Sequence, residues 1–518
     1  MTAHDLLAGD FGLIADLVAA HAAEHPDKPV FIEGERIMTY GAFDALADRV
    51  AASLQRDEVG PGSVVAICAG NSIEWIAIFF GALRAGAAVA PLAPSASPDQ
   101  LADMIGDADA RLLFLDGKSA DHLRPVASRI ASRWILIDDA PVREQGFTGW
   151  LTEPGSRPAP VTIRPEWPFN YIYSSGTTGT PKGIVQSHAF RWMPIARGAL
   201  FAYGPSSVTV VATLLYSNYT LVPIFMTLAQ GGSLVLMRKF DALEFLRLAE
   251  HHRTTHVTLV PVQYRRLLAM PEFDRYDLTA TQMKFVGSAP SSHQMKAELL
   301  QRWPGGLIEI YAMTEGGGNF LLLAHEYPDK LHTVGQPAPG NDVRIVDEDG
   351  REMAQGELGE IVGRSTGMMM GYHNQPDKSA SAEWFSAEGD RFIKTGDIGR
   401  YDEDGFLILT DRKKDMIISG GFNIYPSDIE EVVQRHPSVQ EVAVVGVTSD
   451  QWGETPVAFV ALKSGQSLSA GDLAAFTAEQ LGATQRPQAY QFVASLPRSA
   501  VGKVLKRELR DAFRGQVA

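Results

Sequence analysis

The stretch Tyr171-Ile-Tyr-Ser-Ser-Gly-Thr-Thr-Gly-Thr-Pro-Lys-Gly183 places five Ser/Thr hydroxyls, three glycines and one lysine directly behind an apolar approach. Tyr171 to Tyr173 read as the end of a buried strand. The glycines then let the backbone N–H groups of Ser174, Ser175, Gly176, Thr177, Thr178 and Gly179 close around anionic oxygens, with Lys182 supplying countercharge. A Walker A loop needs glycine directly before its lysine and Ser or Thr directly after it, to bring a hydroxyl to magnesium. Here Pro181 precedes Lys182 and Gly183 follows, so that reading fails at both positions. A polar surface loop is the plainer reading of a short fragment of this kind. The full string is far more specific.

Working outward, apolar runs at 63–69, 110–115, 208–213 and 256–260 alternate with helical-period segments, an order that indicates parallel α/β layers. Leu46, Val50 and Leu54 share one face of a helix over 42–54, and 243–249 repeats the pattern. From Asp342 the pattern changes to short strands with tight turns at 347–350 and 402–405, which suggests an antiparallel, barrel-like subdomain. After Lys414 a new cycle begins: a strand near 416–418, a helix near 427–434, a strand near 441–447 and a final basic helix from Lys503. The expected class is α/β: a large N-terminal domain of layered α/β subdomains with a β-barrel-like subdomain, and a small mobile α+β C-terminal domain.

At 518 residues, 45% hydrophobic and 21% charged, the chain can bury more than one core. Its 61 acidic and 46 basic side chains give a formal charge of −15, which argues against a general nucleic-acid or anionic-membrane surface. Cys68 is the only cysteine, so no intramolecular disulfide can form, and a reducing, cytoplasmic setting is expected. Residues 1–10 lack the basic start and apolar core of a signal peptide. The most apolar window, 75–93, carries Arg84 between Gly81 and Gly86, and reads as a buried helix running into a strand instead of a membrane span. Nothing in the composition argues against a homo-oligomer.

The string SSGTTGTPKG resembles the signature loop of the adenylate-forming superfamily, which includes acyl-CoA synthetases, peptide-synthetase adenylation domains and luciferases. Further segments match in the family's order. Tyr311-Ala-Met-Thr-Glu315 resembles the adenine and magnesium motif, and Thr395-Gly-Asp397 the ribose motif. Asp411-Arg-Lys-Lys-Asp415 with Ser419-Gly-Gly421 resembles the hinge and following strand, and Pro497-Arg-Ser-Ala-Val-Gly-Lys503 the motif bearing the catalytic lysine. The resemblance covers nearly the whole chain and implies an adenylation domain at 1–411, a hinge at 412–414 and a lid domain at 415–518. Taken singly, Glu315 and Asp397 would pass for solvated carboxylates, Tyr311 for a packing residue and Lys503 for part of a solvated basic helix. Their joint order favours the functional reading.

The implied reaction activates a carboxylic acid against ATP, then passes the acyl group to coenzyme A. Activation needs positioned phosphates, neutralised charge and in-line attack. By the resemblance, 174–182 holds the leaving phosphates, and Glu315, beside Thr314, holds Mg²⁺. Tyr311, with Ala312 and Met313, faces adenine. Asp397 accepts from the ribose hydroxyls and Arg412 donates from the other side. Gly287, Ser288 and Ala289 wall adenine from the acyl group. Lys503 contacts the carboxylate and α-phosphate in the first step. The C-terminal domain then rotates about Lys414, and Ser419, Gly420 and Gly421 line the pantetheine tunnel.

The acyl pocket is expected between Tyr216, Ser217, Asn218 and Tyr219, residues 260–262 with Val262, Gly287, and residues 316–319 with Gly316 and Gly317. Mostly apolar or small walls suit an aryl or medium-chain monocarboxylate, with Gly316 and its neighbours leaving room for the tail; Arg191 or Arg197 reaching the pocket would change that. The chain departs from many acyl-CoA synthetases in placing Ser217, Asn218 and Tyr219 where a pocket-wall histidine is common, and in carrying Ala312 for a frequent glycine. A free-standing acid:CoA ligase is favoured, because the 15 residues after Lys503 leave no room for a carrier domain. The alternatives are an adenylation enzyme loading a separate carrier protein and a non-enzymatic nucleotide sensor.

Overall fold

The computed structural model describes residues 1–138, 145–174, 182–412, 415–419, 422–449, 453–478, 480–482, 485–499 and 503–517. Contacts divide the chain into two compact units: 1–331 with 337–342 and 363–393, and 332–336 with 343–362 and 394–518.

Among the described residues two large sheets dominate the first unit. One runs, in spatial order, Phe320–Leu323, Gly306–Tyr311, Met283–Gly287, His256–Leu259, Val208–Val211, Ser233–Leu236, Pro29–Glu33 and Arg36–Thr39. Its central pairs are parallel, as the alternation of strands and helices implies, whereas Phe320–Leu323 on Gly306–Tyr311 and Arg36–Thr39 on Pro29–Glu33 are antiparallel. The other runs Gly371–Tyr372, Lys182–Ser187, Pro168–Ser174, Ala88–Pro91, Val64–Cys68, Ala110–Leu115, Arg133–Leu136 and Gln145–Gly146. All five residues of Val64–Cys68 are buried, and burial pushes the Cys68 thiol up to about 12, which makes it an inert packing group.

The apolar window is the helix Ile73–Ala85 followed by the strand Ala88–Pro91. Ser72 caps its start by accepting from the Trp75 N–H at 3.1 Å, and Gly86, at φ +79°, ends it. Every residue of this helix except Glu74 and Arg84 is buried. Arg84 pairs with Asp44 and Asp48 on the helix Tyr40–Arg56, and a Cβ on Gly81 would lie 2.4 Å from Val50 of that same helix. This is helix-on-helix packing in a core. Among the described residues no helix is long and apolar enough to cross a membrane.

The strand Arg391–Tyr401 begins in the first unit, where it pairs antiparallel with Glu383–Phe385, and ends in the second, where it pairs antiparallel with Leu407–Arg412. The turns expected at 347–350 and 402–405 close with Gly350 N–H to Asp347 O at 3.1 Å and Gly405 N–H to Asp402 O at 3.1 Å, each glycine at φ near +80°. The C-terminal part is α+β: Ile417–Ser419, Phe422–Ile424, the helix Pro426–Gln434, the strands Val439–Ser449 and Gly453–Leu462, the helix Ala470–Ala478, Ala489–Phe492 and the helix Lys506–Val517.

One boundary differs from expectation. The last helix starts at Lys506, not Lys503, because Ser499 N–H donates to Lys503 O at 2.8 Å and Lys503 N–H donates to Ser499 Oγ at 3.2 Å. Those bonds, with a bridge between Arg498 and Val504, hold the backbone of Lys503 in an extended turn where a helix would leave them unmade.

Candidate active site

The strands Pro168–Ser174 and Lys182–Ser187 pair antiparallel with Ser174 opposite Lys182, so the Gly/Ser/Thr segment is the connection of a hairpin. Ser175, Gly176, Thr177, Thr178 and Gly179 lie outside the described residues, as does the Ser174 side chain. At the base of the hairpin a Cβ on Gly183 would come within 3.1 Å of the Tyr173 ring, whose hydroxyl donates to Asp107 Oδ2 at 2.7 Å. Lys182 Nζ lies 4.8 Å from the centroid of Tyr372, which sits on the neighbouring strand opposite Ile184. The Tyr372 hydroxyl donates to Glu315 Oε1 at 3.0 Å. Burial, and the Glu315 carboxylate beside it, hold that phenol well above its ordinary range, so it remains a donor. Lys182 and Glu315, 133 positions apart, thus meet through one tyrosine that no sequence motif marked.

Thr314 and Glu315 are fixed by their backbone. Gln186 Nε2 donates to Thr314 O at 2.7 Å, and Met369 N–H donates to Glu315 O at 2.8 Å. Met313 packs with Ile184, Met369 and Ile393, while Ala312 is exposed. Tyr311 ends its strand half-buried, its ring 5.7 Å from that of Phe320.

Gly287 ends the adjacent strand and Ser288 follows it at φ +67°, a left-handed conformation unusual for a residue with a Cβ. Ala289 follows, half-buried. A Cβ on Gly287 would lie 2.6 Å from Ile310 O and 3.1 Å from the Tyr219 ring, so Gly287 and Tyr219 of the expected pocket do meet. Burial raises the Tyr219 and Tyr216 phenols, the latter to about 12. Ser217 precedes the helix Asn218–Ala229 without a capping hydrogen bond from its side chain, and Val262 is half-buried on the helix Pro261–Leu268.

The expectation that Gly316 and Gly317 leave room for an acyl tail needs correcting. A Cβ on Gly316 would lie 1.9 Å from Gly367 O, and one on Gly317 2.7 Å from Gly363 O. Both have positive φ, and the space they leave is filled by the backbone of 363–367.

In the second unit, Asp397 and Arg412 stand opposite each other on the antiparallel pair Arg391–Tyr401 and Leu407–Arg412. Thr395 Oγ1 accepts from the Asp397 N–H at 3.0 Å. The Arg412 side chain, Lys414, Gly420 and Gly421 lie outside the described residues, and Ser419 is buried at the end of its strand. Lys503 is exposed in its turn. The neighbouring basic residues are largely neutralised within the unit: Arg498 bonds Glu441 at 2.9 Å and Lys506 bonds Glu430 at 2.8 Å.

Among the described residues no group of three or more His, Cys, Asp or Glu is arranged to hold a metal ion. Glu315 retains Oε2 without a hydrogen bond to any described residue. A carboxylate oxygen left open in this way suits Mg²⁺, which takes one or two protein carboxylates together with substrate phosphates and water.

Residues 18–373 match the AMP-binding enzyme family, and residues 428–503 match the AMP-binding enzyme C-terminal domain. Among curated relatives, the fatty acid–[acyl-carrier-protein] ligase ScoC of Streptomyces coeruleorubidus is 31% identical over 96% of this chain and 96% of its own length. The indoleacetate–CoA ligase of Aromatoleum aromaticum is also 31% identical, over 96% and 98%. Among solved structures, ATP-bound MatB from Rhodopseudomonas palustris superimposes with a TM-score of 0.86 at 27% identity, covering 97% of this chain and all of the other.

Proposed function

The chain belongs to the AMP-binding enzyme family, the adenylate-forming acyl-CoA synthetases, and on that premise we propose that it joins an aryl or medium-chain monocarboxylic acid to coenzyme A. It is an AMP-forming acid–thiol ligase that activates its acid with ATP. The observation that carries the reading is the meeting of Lys182, Tyr372 and Glu315 at the base of a Gly/Ser/Thr hairpin.

In the first half-reaction a carboxylate oxygen attacks the α-phosphorus of ATP, the bond to the β-phosphate oxygen breaks, and pyrophosphate leaves. The hairpin backbone and Lys182 hold the leaving phosphates. Asp397 and Arg412 take the ribose, Tyr311 the adenine, and Lys503 the oxygens on which charge redistributes. Glu315 and the phosphate oxygens would hold Mg²⁺, which neutralises phosphate charge when bound. In the second half-reaction the thiol attacks the acyl carbon and AMP leaves. The division at 412–414, with alternation of the two parts about Lys414 and a thiol tunnel at Ser419, Gly420 and Gly421, belongs to this proposal.

Tyr219 and Gly287 meet, and together with Tyr216 and Val262 they would offer apolar and aromatic walls, which favour a neutral acyl group. The acceptor has a second reading, a carrier protein, because one relative of equal identity is a ligase of that kind. A pyrophosphate-release screen over benzoate, cinnamate, C2 to C16 fatty acids and malonate-type diacids, with CoA or a phosphopantetheinylated carrier, tests each part. The expected products are AMP and an acyl-CoA. ADP with orthophosphate would overturn the chemistry, and a diacid or acetate preference would overturn the pocket argument alone.

A further inference from the structure

Arg191, on the helix His188–Ala196, is 1% exposed, and its guanidinium carbon lies 5.8 Å from the ring centroids of Phe169, Phe190 and Phe225. A cation so deep normally faces a carboxylate, because desolvation otherwise goes uncompensated. Among the described residues Arg191 instead donates only to neutral amides: Nε to Asn170 Oδ1 at 3.0 Å and Nη2 to Asn218 Oδ1 at 2.7 Å. Burial lowers it to about 9, with no neighbouring charge contributing. Two more polar atoms of the cluster, Asn170 Nδ2 and Gln186 Oε1, are buried without a hydrogen-bond partner among the described residues. Orphaned buried groups are destabilising, so fold stability gives no reason for this arrangement.

The consequence falls on Asn218. A guanidinium has donors only, so the Asn218 atom facing it must be the oxygen, and the amide orientation is settled by chemistry. Gln186 Nε2 lies 3.4 Å from the same oxygen. Asn218 Nδ2 makes no hydrogen bond with any described residue, and Asn218 is half-buried in the first turn of its helix, where the helix dipole also favours an anion. Through Gln186, whose Nε2 also reaches Thr314 O, the same network holds the loop that carries Glu315.

We propose that Asn218 Nδ2 donates to a carboxylate oxygen of the acid to be activated, and that Arg191 is a positioning residue that orients this amide and supplies the positive field the carboxylate completes. The proposal rests on the acid-activating reading above. It locates the reacting carboxylate on the helix Asn218–Ala229, one hydrogen-bond network away from Glu315.

The test is acid-dependent ATP–pyrophosphate exchange by the full chain, using the best acid among benzoate, cinnamate and the C2 to C16 fatty acids. Asn218→Asp turns the donor into an acceptor and gives Arg191 its missing counter-charge. It should raise KM for the acid about 10- to 100-fold with KM for MgATP within about twofold, while the unfolding midpoint holds or rises. Arg191→Met should raise KM for the acid similarly, and Arg191→Lys should fall between it and the wild type. Unchanged KM for the acid in Asn218→Asp overturns the proposal. So does a loss in which both KM values rise together and the midpoint falls, which is what a purely structural role gives. Absence of exchange with every acid in the wild type would instead overturn the activity reading, and this proposal with it.

Discussion

Tyr372 shows how a single side chain joins two parts of a site. Its hydroxyl holds Glu315 Oε1 and its ring lies under Lys182, so Tyr372→Phe should keep the ring contact and release the carboxylate. A lost hydrogen bond to a charged group is worth about 1.5–3 kcal/mol. We expect KM for MgATP to rise at least several-fold with the unfolding midpoint nearly unchanged; an unaltered magnesium dependence would count against Glu315 as the metal ligand. Gly316 makes the opposite kind of prediction, because its role is steric. With φ at +75° and Gly367 O 1.9 Å from a would-be Cβ, Gly316→Ala should destabilise the fold by about 2 kcal/mol or more, read as a lower denaturation midpoint. Glu315 and Lys182 were legible from their motifs, since phosphate chemistry demands those residue types. Tyr372 was not, and Arg191 figured only as a cation that could reach the pocket, because an aromatic or a basic residue outside any motif acquires its role from what folds against it.

At the scale of an element, the strand His256–Leu259 shows what a run read as apolar can hide. His256 is wholly buried, its ring centroid 3.8 Å from that of Tyr203, and Nε2 bonds Phe201 O at 3.0 Å. Burial lowers its pKa to about 4. Between the ordinary value near 6.5 and about 4 the unfolded chain binds more protons than the folded one, so stability falls as pH drops through that window. The contribution to the slope is at most about 1.4 kcal/mol per pH unit. His256→Gln, which cannot titrate, should show a flatter loss of urea-unfolding free energy from pH 6.5 to 4.5; parallel slopes would refute the assignment. Strands buried on both faces were readable as apolar runs, as at Val64–Cys68. Gly453–Leu462, although mostly buried, was missed because one apolar run among turn residues does not declare its neighbours, and those neighbours justify it.

At the scale of the whole molecule, the prediction concerns two half-reactions that one chain must serve. Lys503→Ala should slow adenylation by on the order of 3 kcal/mol, the loss of one charge-stabilising donor, and leave thioester formation from supplied acyl-adenylate largely intact. Lys414→Pro should show the reverse preference, since a fixed φ at the proposed hinge hinders alternation and spares the first-step groups. Equal impairment of both steps in both variants would remove the division of labour. The sequence by itself determined the layered α/β class, because turn glycines and apolar periodicity act through local spacing, and it carried, in order, the motifs whose resemblance to the adenylate-forming superfamily implied the chemistry. It also announced the switch to short antiparallel strands after Asp342. Only the tertiary structure decided that Tyr372 links Lys182 to Glu315, that Gly316 and Gly317 make room for backbone instead of substrate, and that Arg191 is a buried cation with no carboxylate partner among the described residues. Those outcomes depend on which distant atoms fill the space around a side chain, and close packing settles that over the whole fold at once.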